Sequence, residues 1–382
     1  MDFSGFATNA RPLSKGSAVK ALVLSGGSGA RLRPISHSMP KQLIPVANRP
    51  VLEYVIDDIR RLGVTDIAIV VGSWATQIQQ ALGDGSRFGV HLTYLRQDLP
   101  LGLADALRRA GPFLGDDDFV MYLGDNVLRE GVAEIAEEFR RTRPAAQLVV
   151  HKVADTRAYG VAEVDADGRV LRLVEKPERP RSDLAVVGVY FFTSAIHASV
   201  AAIEPSARGE LEITDAIQRL VADGAPVRAR EYTGFWRDVG EIEHVLDCNR
   251  RLLEDLRHRV TGTVEGGAEL RGPVVVEDGA RVVRSRVTGP AVIGAGTLVE
   301  DAEIGPGTAV GRGCLLRSTS LADSVVLDGA SISFAGPFAR SVIGRSATVG
   351  PAGARAGGRA AHRLVVGDHA GVEVAARPDG AG

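Results

Sequence analysis

Aromatic residues make up 5% of this 382-residue chain, and it holds two cysteines and three methionines. The scarcity of aromatics, beside frequent Ala, Gly, Arg and Val, reflects a GC-rich coding sequence and says little about function. Cys248 and Cys314 form neither a metal-binding spacing nor a disulfide framework, which fits a reducing compartment. Formal net charge is −2, so there is no general basic field for nucleic acid or an anionic membrane, and any polyanion must be held locally. No apolar run approaches the ~20 residues of a membrane-spanning helix. Met1 to Lys20 carries Arg11, Lys15 and Lys20 without an apolar stretch, so no secretory signal is expected and residues 1–19 read as a flexible extension. These features point to a cytoplasmic protein without nucleic-acid or membrane partners. The eight histidines form no metal spacing and pair with no candidate nucleophile.

Glycine, by contrast, is plentiful, and one cluster organises the chain. Ala21 to Leu24 is a short apolar run that reads as a buried strand. It breaks into Ser25-Gly26-Gly27-Ser28-Gly29-Ala30-Arg31-Leu32-Arg33-Pro34, followed by Pro40-Lys41-Gln42. Glycines let backbone N–H groups approach an anion closely, and successive amides in such a turn form an anion-binding concavity. Arg31 and Lys41 can neutralise a polyphosphate there. A plain strand-to-helix turn is the alternative, and the basic residues favour a phosphate site. The Walker loop is excluded because Gly29 is followed by Ala30-Arg31, not Lys-Ser/Thr. The dinucleotide fingerprint is excluded because Leu32 sits where its third glycine belongs.

The length predicts two domains. Past Pro50, apolar spacing predicts a helix over Leu52–Leu62, ended by Gly63. Strands are expected at 66–71, 90–95 and 119–123, with helices at 76–82 and 103–110 between them. Such alternation argues a parallel sheet covered by helices, whose ligands lie beyond the carboxyl ends of the strands. After Pro144 the pattern turns mixed: strands at 147–153, 161–164, 170–174 and 186–192, then helices near 195–203, 212–222 and 241–257. From about Arg259, Val292, Leu298, Ile304, Val310 and Leu316 recur every six residues among glycines, the mark of a hexapeptide parallel β-helix. Residues 318–338 break that period, as an insertion or a bent coil would. The boundaries expected are 20–258, 259–350 and a disordered tail over 351–382.

Two carboxylates end β segments: Asp125 in Leu123-Gly124-Asp125-Asn126, and Asp238 in Trp236-Arg237-Asp238-Val239. Together they suit Mg²⁺, a hard cation content with one or two protein oxygens; alternatively each caps a turn. Glu175-Lys176-Pro177 ends another strand, where the pair suits a sugar hydroxyl and a phosphate, or forms a solvated strand end. The acidic run Gly209 to Asp215 reads as a helix start.

The glycine cluster, Lys41, Asp125, Glu175-Lys176 and Trp236-x-Asp238 jointly resemble the sugar-1-phosphate nucleotidylyltransferases, over about residues 18–350. The resemblance is strongest to the long actinobacterial glucose-1-phosphate thymidylyltransferases of antibiotic and deoxysugar pathways. It implies a Rossmann-like α/β nucleotidyltransferase domain with a mixed sheet, followed by a left-handed parallel β-helix. It implies nucleotide contacts from Leu24, Gly26, Gly27, Ser28, Gly29, Ala30, Gln42, Gln97, Gly102 and Leu103. It implies a sugar-phosphate wall of Asn126, Gly160, Glu175, Lys176, Val187 and Trp236, metal-binding Asp125 and Asp238, and Arg31, Lys41 and Lys176 at the transferred phosphates. The expected partners are a nucleoside triphosphate, a sugar or cyclitol 1-phosphate and further copies of the chain, with Mg²⁺ as cofactor. The β-helix is expected to serve assembly or regulation.

Three positions depart from the family pattern. Ala30 and Val239 each replace a threonine, and Asp105 stands where a glutamine or histidine is common. A carboxylate at 105 suits the two donors of guanine, and guanylyl (or adenylyl) transfer to a cyclitol phosphate such as valienol 1-phosphate is the alternative expectation. A non-catalytic nucleotide-sugar-binding regulator is another. A β-helix acyltransferase is disfavoured, because no histidine lies between His258 and His362 to act as its base.

Overall fold

The computed structural model describes residues 19–27, 29–352 and 361–375. The sheet begins with β1 (Lys20–Ser25), whose apolar run is buried on both faces, as in a central parallel strand. Two-residue strands β2 (Pro45–Val46) and β3 (Arg49–Pro50) form a small hairpin before α1 (Val51–Arg61). Then come β4 (Asp66–Val71), α2 (Ala75–Leu82), β5 (His91–Arg96), α3 (Leu103–Leu114) and β6 (Phe119–Leu123). The helix α3 runs past its expected end at residue 110, carries Pro112 within it and is capped by Gly115.

The mixed half follows: β7 (Asn126–Leu128), α4 (Ala133–Thr142), β8 (Ala146–Lys152), β9 (Gly160–Val164), β10 (Val170–Glu175) and β11 (Leu184–Phe192). It continues with α5 (Ile196–Ala202), α6 (Ile213–Ala222), β12 (Val227–Glu231) and β13 (Trp236–Asp238), then α7 (Ile242–Leu253). The main sheet runs β10-β9-β11-β6-β1-β4-β5, with β8 pairing β11 and β12. Strands β6, β1, β4 and β5 are parallel, and β11 joins them antiparallel. Strand β12, whose sequence Val-Arg-Ala-Arg-Glu is too polar to signal a strand, adds to an edge. One face of the sheet packs Leu22, Leu24, Val70 and Met121 against Leu107 and Ala110 of α3 and Ile213 and Ile217 of α6. This is a Rossmann-like mixed sheet.

By packing, the described residues divide into two compact units: 19–27 with 52–238, and 29–51 with 239–352 and 361–375. The second unit is built on parallel strands stacked in three sheets, a β-helix. Its interior columns can be read from the pairing. Ile293 lies beside Val310, Val310 beside Val326, and Val326 beside Ile343. Val299, Leu316, Ile332 and Val349 form a second column, and Val287, Ile304, Leu321 and Phe338 a third. All of these side chains are buried.

The strict six-residue period needs correcting. The inward residue is Val299, not Leu298, which is half-buried. Inward positions at 293, 299, 304, 310, 316, 321, 326, 332 and 338 mix steps of six with steps of five. Residues 318–338 are therefore ordinary coil. Four of the six-residue corners turn on left-handed Gly296, Gly307, Gly313 and Gly329, and the five-residue corners on left-handed Asp301, Ser318 and Asp323. A corner without glycine lacks the expected punctuation.

The stacks also continue beyond residue 350. Val365–Val366 pairs with Val342–Ile343, and Gly371–Ala375 with Thr348–Ala352, so part of the expected tail is strand. The remainder of that tail, 353–360 and 376–382, and the extension over 1–18 lie outside the described residues. Within this unit, buried Asn249 of α7 accepts from Ala47 N–H at 2.9 Å and donates to Gly307 C=O at 2.8 Å. Ser38 donates to Asp368 at 2.7 Å, and Arg345 donates to both Asp368 and Ser38 C=O. The segment 28–51 is thus tied to the coils. No helix among the described residues is long and apolar enough to cross a membrane.

Ile332 provides a test of the coil through 318–338. As an interior residue, Ile332→Ala should lower unfolding free energy by about 2–5 kcal/mol, measured by denaturant titration. A change near zero would be the behaviour of an exposed insertion.

Candidate functional site

The parallel strands deliver several of the expected residues to one edge. Leu24 of β1 pairs beside Leu123 of β6, and Gly124 N–H donates to Leu24 C=O at 2.9 Å. Gly26 and Gly27 therefore leave the sheet next to Gly124 and Asp125. Gly27 has a φ of 99°, a conformation that side-chain-bearing residues avoid. Ser28 lies outside the described residues.

Asp125 lies in the turn just before β7, and Asp238 ends the neighbouring strand β13. β7 and β13 run antiparallel with Asp238 opposite Asn126, the residue after Asp125. Asn126 donates to Asp125 Oδ1 at 3.0 Å, and the Trp236 indole N–H donates to Asn126 Oδ1 at 2.6 Å. Trp236 and Asn126 are both buried. Their polar groups act on Asp125 through this relay, so Trp236 supports the carboxylate from behind and presents no polar edge to a sugar. The far end of the strand pair is clamped by Glu130, which accepts from Tyr232 Oη at 2.5 Å and Phe235 N–H at 2.9 Å. Among the described residues no group of three or more His, Cys, Asp or Glu side chains could hold a metal. Two carboxylates supply hard oxygen donors that suit a divalent ion completing its shell with substrate oxygens and water.

Gln97 follows β5 and hydrogen-bonds through its backbone to Val71 C=O at 2.9 Å. Its side-chain amide donates to Gly102 C=O at 3.2 Å and to Asp105 Oδ2 at 2.9 Å. Gly102 has a φ of 103°, and a Cβ there would fall 2.4 Å from Leu211 O. Only glycine fits, and the loop is held there by the Leu211 N–H to Leu101 C=O bond at 2.8 Å. Leu103 opens α3. Asp105 corrects an expectation. It is fully buried, with Arg108 donating to Oδ1 at 2.6 Å and Arg109 to Oδ2 at 2.7 Å. Its oxygens are engaged within the protein, so it is not a group that reads guanine directly. Burial pushes its pKa up, but hydrogen bonds from Arg109, Gln97 and Arg108 outweigh that and hold it below the usual carboxylate value.

Glu175 ends β10 opposite Gly160 of β9. A Cβ on Gly160 would come 2.8 Å from Thr214 Cγ2 and 3.4 Å from Glu175 Oε2, so glycine is required by close packing. Thr214 donates to Glu175 at 3.3 Å, and the Lys176 ammonium lies 3.4 Å from it. Burial raises the Glu175 pKa, against the attraction of Lys176. Arg208, which sequence reasoning passed over, sits 3.6 Å from Glu175 and 2.7 Å from Glu212. The acidic run is thus more than a helix start, because Glu212 and Thr214 frame the Glu175 carboxylate. Val187 is fully buried, which leaves only its backbone to face a ligand, and Gly188 at φ 78° brings β11 close to Leu123 and Asn126.

The second unit holds the remaining candidates. Gly29 is left-handed at φ 61°, and a Cβ there would meet Ser36 at 3.2 Å and Lys41 at 3.4 Å. Ser36 Oγ donates to Gly29 C=O at 2.7 Å. Ala30 and Arg31 follow in a short 3-10 turn, with Arg31 paired to Glu241 at 2.8 Å. Lys41 and Gln42 lie in another such turn, and Gln42 is buried.

The chain is similar to known proteins over most of its length. Residues 20–255 match the family model described as nucleotidyl transferase. The chain is 49% identical to a glucose-1-phosphate thymidylyltransferase of Streptomyces antibioticus, over 93% of this chain and 99% of the relative. It is 48% identical to the Streptomyces griseus protein of the same name, over the same shares. A crystal structure assigned as a glucose-1-phosphate thymidylyltransferase from Bacillus anthracis, with sucrose, superposes at TM-score 0.59 and 33% identity, covering 63% of this chain and 98% of that one.

The Asp105 cluster has a measurable pH signature. A carboxylate held below its unfolded pKa of 3.8 stabilises the fold above that value, and this contribution is lost as pH falls through the folded pKa. Asp105→Asn should therefore be less stable than wild type at pH 7, with the gap in melting temperature narrowing towards pH 3. A constant gap would remove the ionic contribution.

Proposed function

This chain belongs to the nucleotidyl transferase family, and we propose that it transfers the thymidylyl group of dTTP to glucose 1-phosphate, releasing pyrophosphate. The observation that supports this reading is the β7–β13 pairing that sets Asp238 opposite Asn126, the residue after Asp125, with Gly124 bonded to Leu24 just before the Gly26-Gly27 turn. The thymidine and glucose parts rest on the names of the two Streptomyces relatives, which the chain matches along nearly their whole length.

An oxygen of the sugar phosphate attacks the α-phosphorus in line, and the bond to the β-phosphate oxygen breaks. The attacking phosphate is already ionised, so no protein nucleophile or general base is needed. The task of the chain is positioning and charge neutralisation. Asp125 and Asp238 would hold Mg²⁺, which when bound supplies positive charge at the transferred phosphate. The amides of Gly26 and Gly27 face the triphosphate, and Lys41 neutralises it.

Arg31 stabilises the departing pyrophosphate, and magnitudes allow its release from Glu241. Both partners of that pair are largely exposed, so the pair is worth about 0–1 kcal/mol. A charge-assisted contact to phosphate is worth about 1.5–3 kcal/mol. Lys176 and Arg208 hold the acceptor phosphate, Glu175 a sugar hydroxyl, and Gln97 the base. With both Asp105 oxygens engaged, guanylyl transfer loses the feature that suggested it. We assign the protein to the cytoplasm and the β-helix to self-assembly, which sedimentation of the full chain would test.

Asp125→Asn and Arg31→Ala should each lower the turnover rate at least ~10²-fold, followed as pyrophosphate release from dTTP and glucose 1-phosphate. Near-normal release from either variant would remove the role assigned to that residue.

A further inference from the structure

We infer that Asp105 decides which end of the Gln97 amide faces the nucleobase, and that this makes the site a reader of bases carrying a ring N–H. The inference rests on the reading that Gln97 lies at the base. It concerns a residue whose side chain is fully buried within the first turn of α3.

The argument is one of donors and acceptors. Gln97 Nε2 lies 2.9 Å from Asp105 Oδ2 and 3.2 Å from Gly102 O. An ionised carboxylate and a backbone carbonyl only accept hydrogen bonds. The amide must therefore turn its NH₂ group towards both, since the opposite orientation would set its oxygen against two other oxygens. Both N–H bonds of Gln97 are then used inside the protein. What remains for a ligand is Oε1, an acceptor.

Arg108 and Arg109 complete the arrangement. They donate to the two Asp105 oxygens at 2.6 and 2.7 Å, and so favour the ionised, acceptor-only form of the carboxylate. An acceptor facing the base edge complements the N3–H of thymine and uracil and the N1–H of guanine. It opposes the ring-nitrogen lone pairs of cytosine N3 and adenine N1. Asp105 is thus a positioning residue that acts through Gln97. An asparagine at 105 has one acceptor oxygen where the carboxylate has two, so it cannot serve Arg108 on one side and Gln97 with Arg109 on the other; turned to keep Arg108, it leaves Gly102 C=O as the one acceptor holding the Gln97 NH₂ group.

The test uses the full chain, glucose 1-phosphate and pyrophosphate release with dTTP, UTP, GTP, dCTP and ATP. Wild type should prefer the three ring-N–H nucleotides over dCTP and ATP by at least about a hundredfold in kcat/KM. Asp105→Asn should raise KM for dTTP about tenfold or more, hold kcat and the KM for glucose 1-phosphate, and shrink the dTTP-to-dCTP ratio by a similar factor. Equal use of dCTP and dTTP by wild type would overturn the inference, whether or not the variant folds. So would a loss in Asp105→Asn that is common to all nucleotides. Gln97→Ala separates the two levels. If it leaves every nucleotide KM unchanged, the base-site reading itself fails. If it raises the dTTP KM while Asp105→Asn leaves the ratio intact, only the orienting role fails.

Discussion

Two three-residue strands, Asn126–Leu128 and Trp236–Asp238, hydrogen-bond to each other, and the bonded Asn126 and Trp236 side chains stand 110 positions apart in the chain. The rest of the site depends on that pairing. Without it, Asp125 is a carboxylate at the end of one strand and Asp238 a carboxylate in a distant turn. So short an antiparallel pair is marginal alone. It persists because neighbours over-determine it. Glu130 accepts from both Tyr232 and Phe235 at one end, and the buried Trp236 ring meets His151 and Tyr159 edge-on. The same Trp236 N–H then fixes Asn126, which fixes Asp125. Packing and polar geometry reach the carboxylate through one relay.

The base and acceptor sides show a second economy. Leu211 exchanges backbone hydrogen bonds with Leu101 and Ala104, so the loop carrying Gly102 and the segment carrying Arg208 and Glu212 are held together. Gln97 answers to the first and Glu175 to the second. A displacement of Leu211 would disturb both at once.

The parallel strands were legible because each is a short apolar run bounded by glycine or charge, and the helices because their apolar spacing is regular. Asp125, Asp238 and Glu175 could be singled out because each ends a β segment. What sequence reasoning missed has physical causes. β12 is polar because it lies at an edge. The five-residue coil steps turn on Asp301, Ser318 and Asp323, which give no glycine signal. Arg208 carries no local pattern of its own. Asp105 was misjudged because a charged residue suggests a ligand-facing group. Yet its signal was present: arginines three and four residues on, at 108 and 109, share its helix face and account for a buried carboxylate.

The ties among Ser38, Arg345 and Asp368, and those of Asn249 to Ala47 and Gly307, bear on how such chains can be recombined. Residues 28–51 rest on coils that are synthesised some three hundred positions later, as the Ser38–Asp368 separation of 330 shows. A hybrid that exchanges the β-helix for one from a relative must therefore carry the matching early segment with it. Crossing over once, near residue 259, would leave Ser38 and Asn48, and the early segment they hold, seated on a foreign surface.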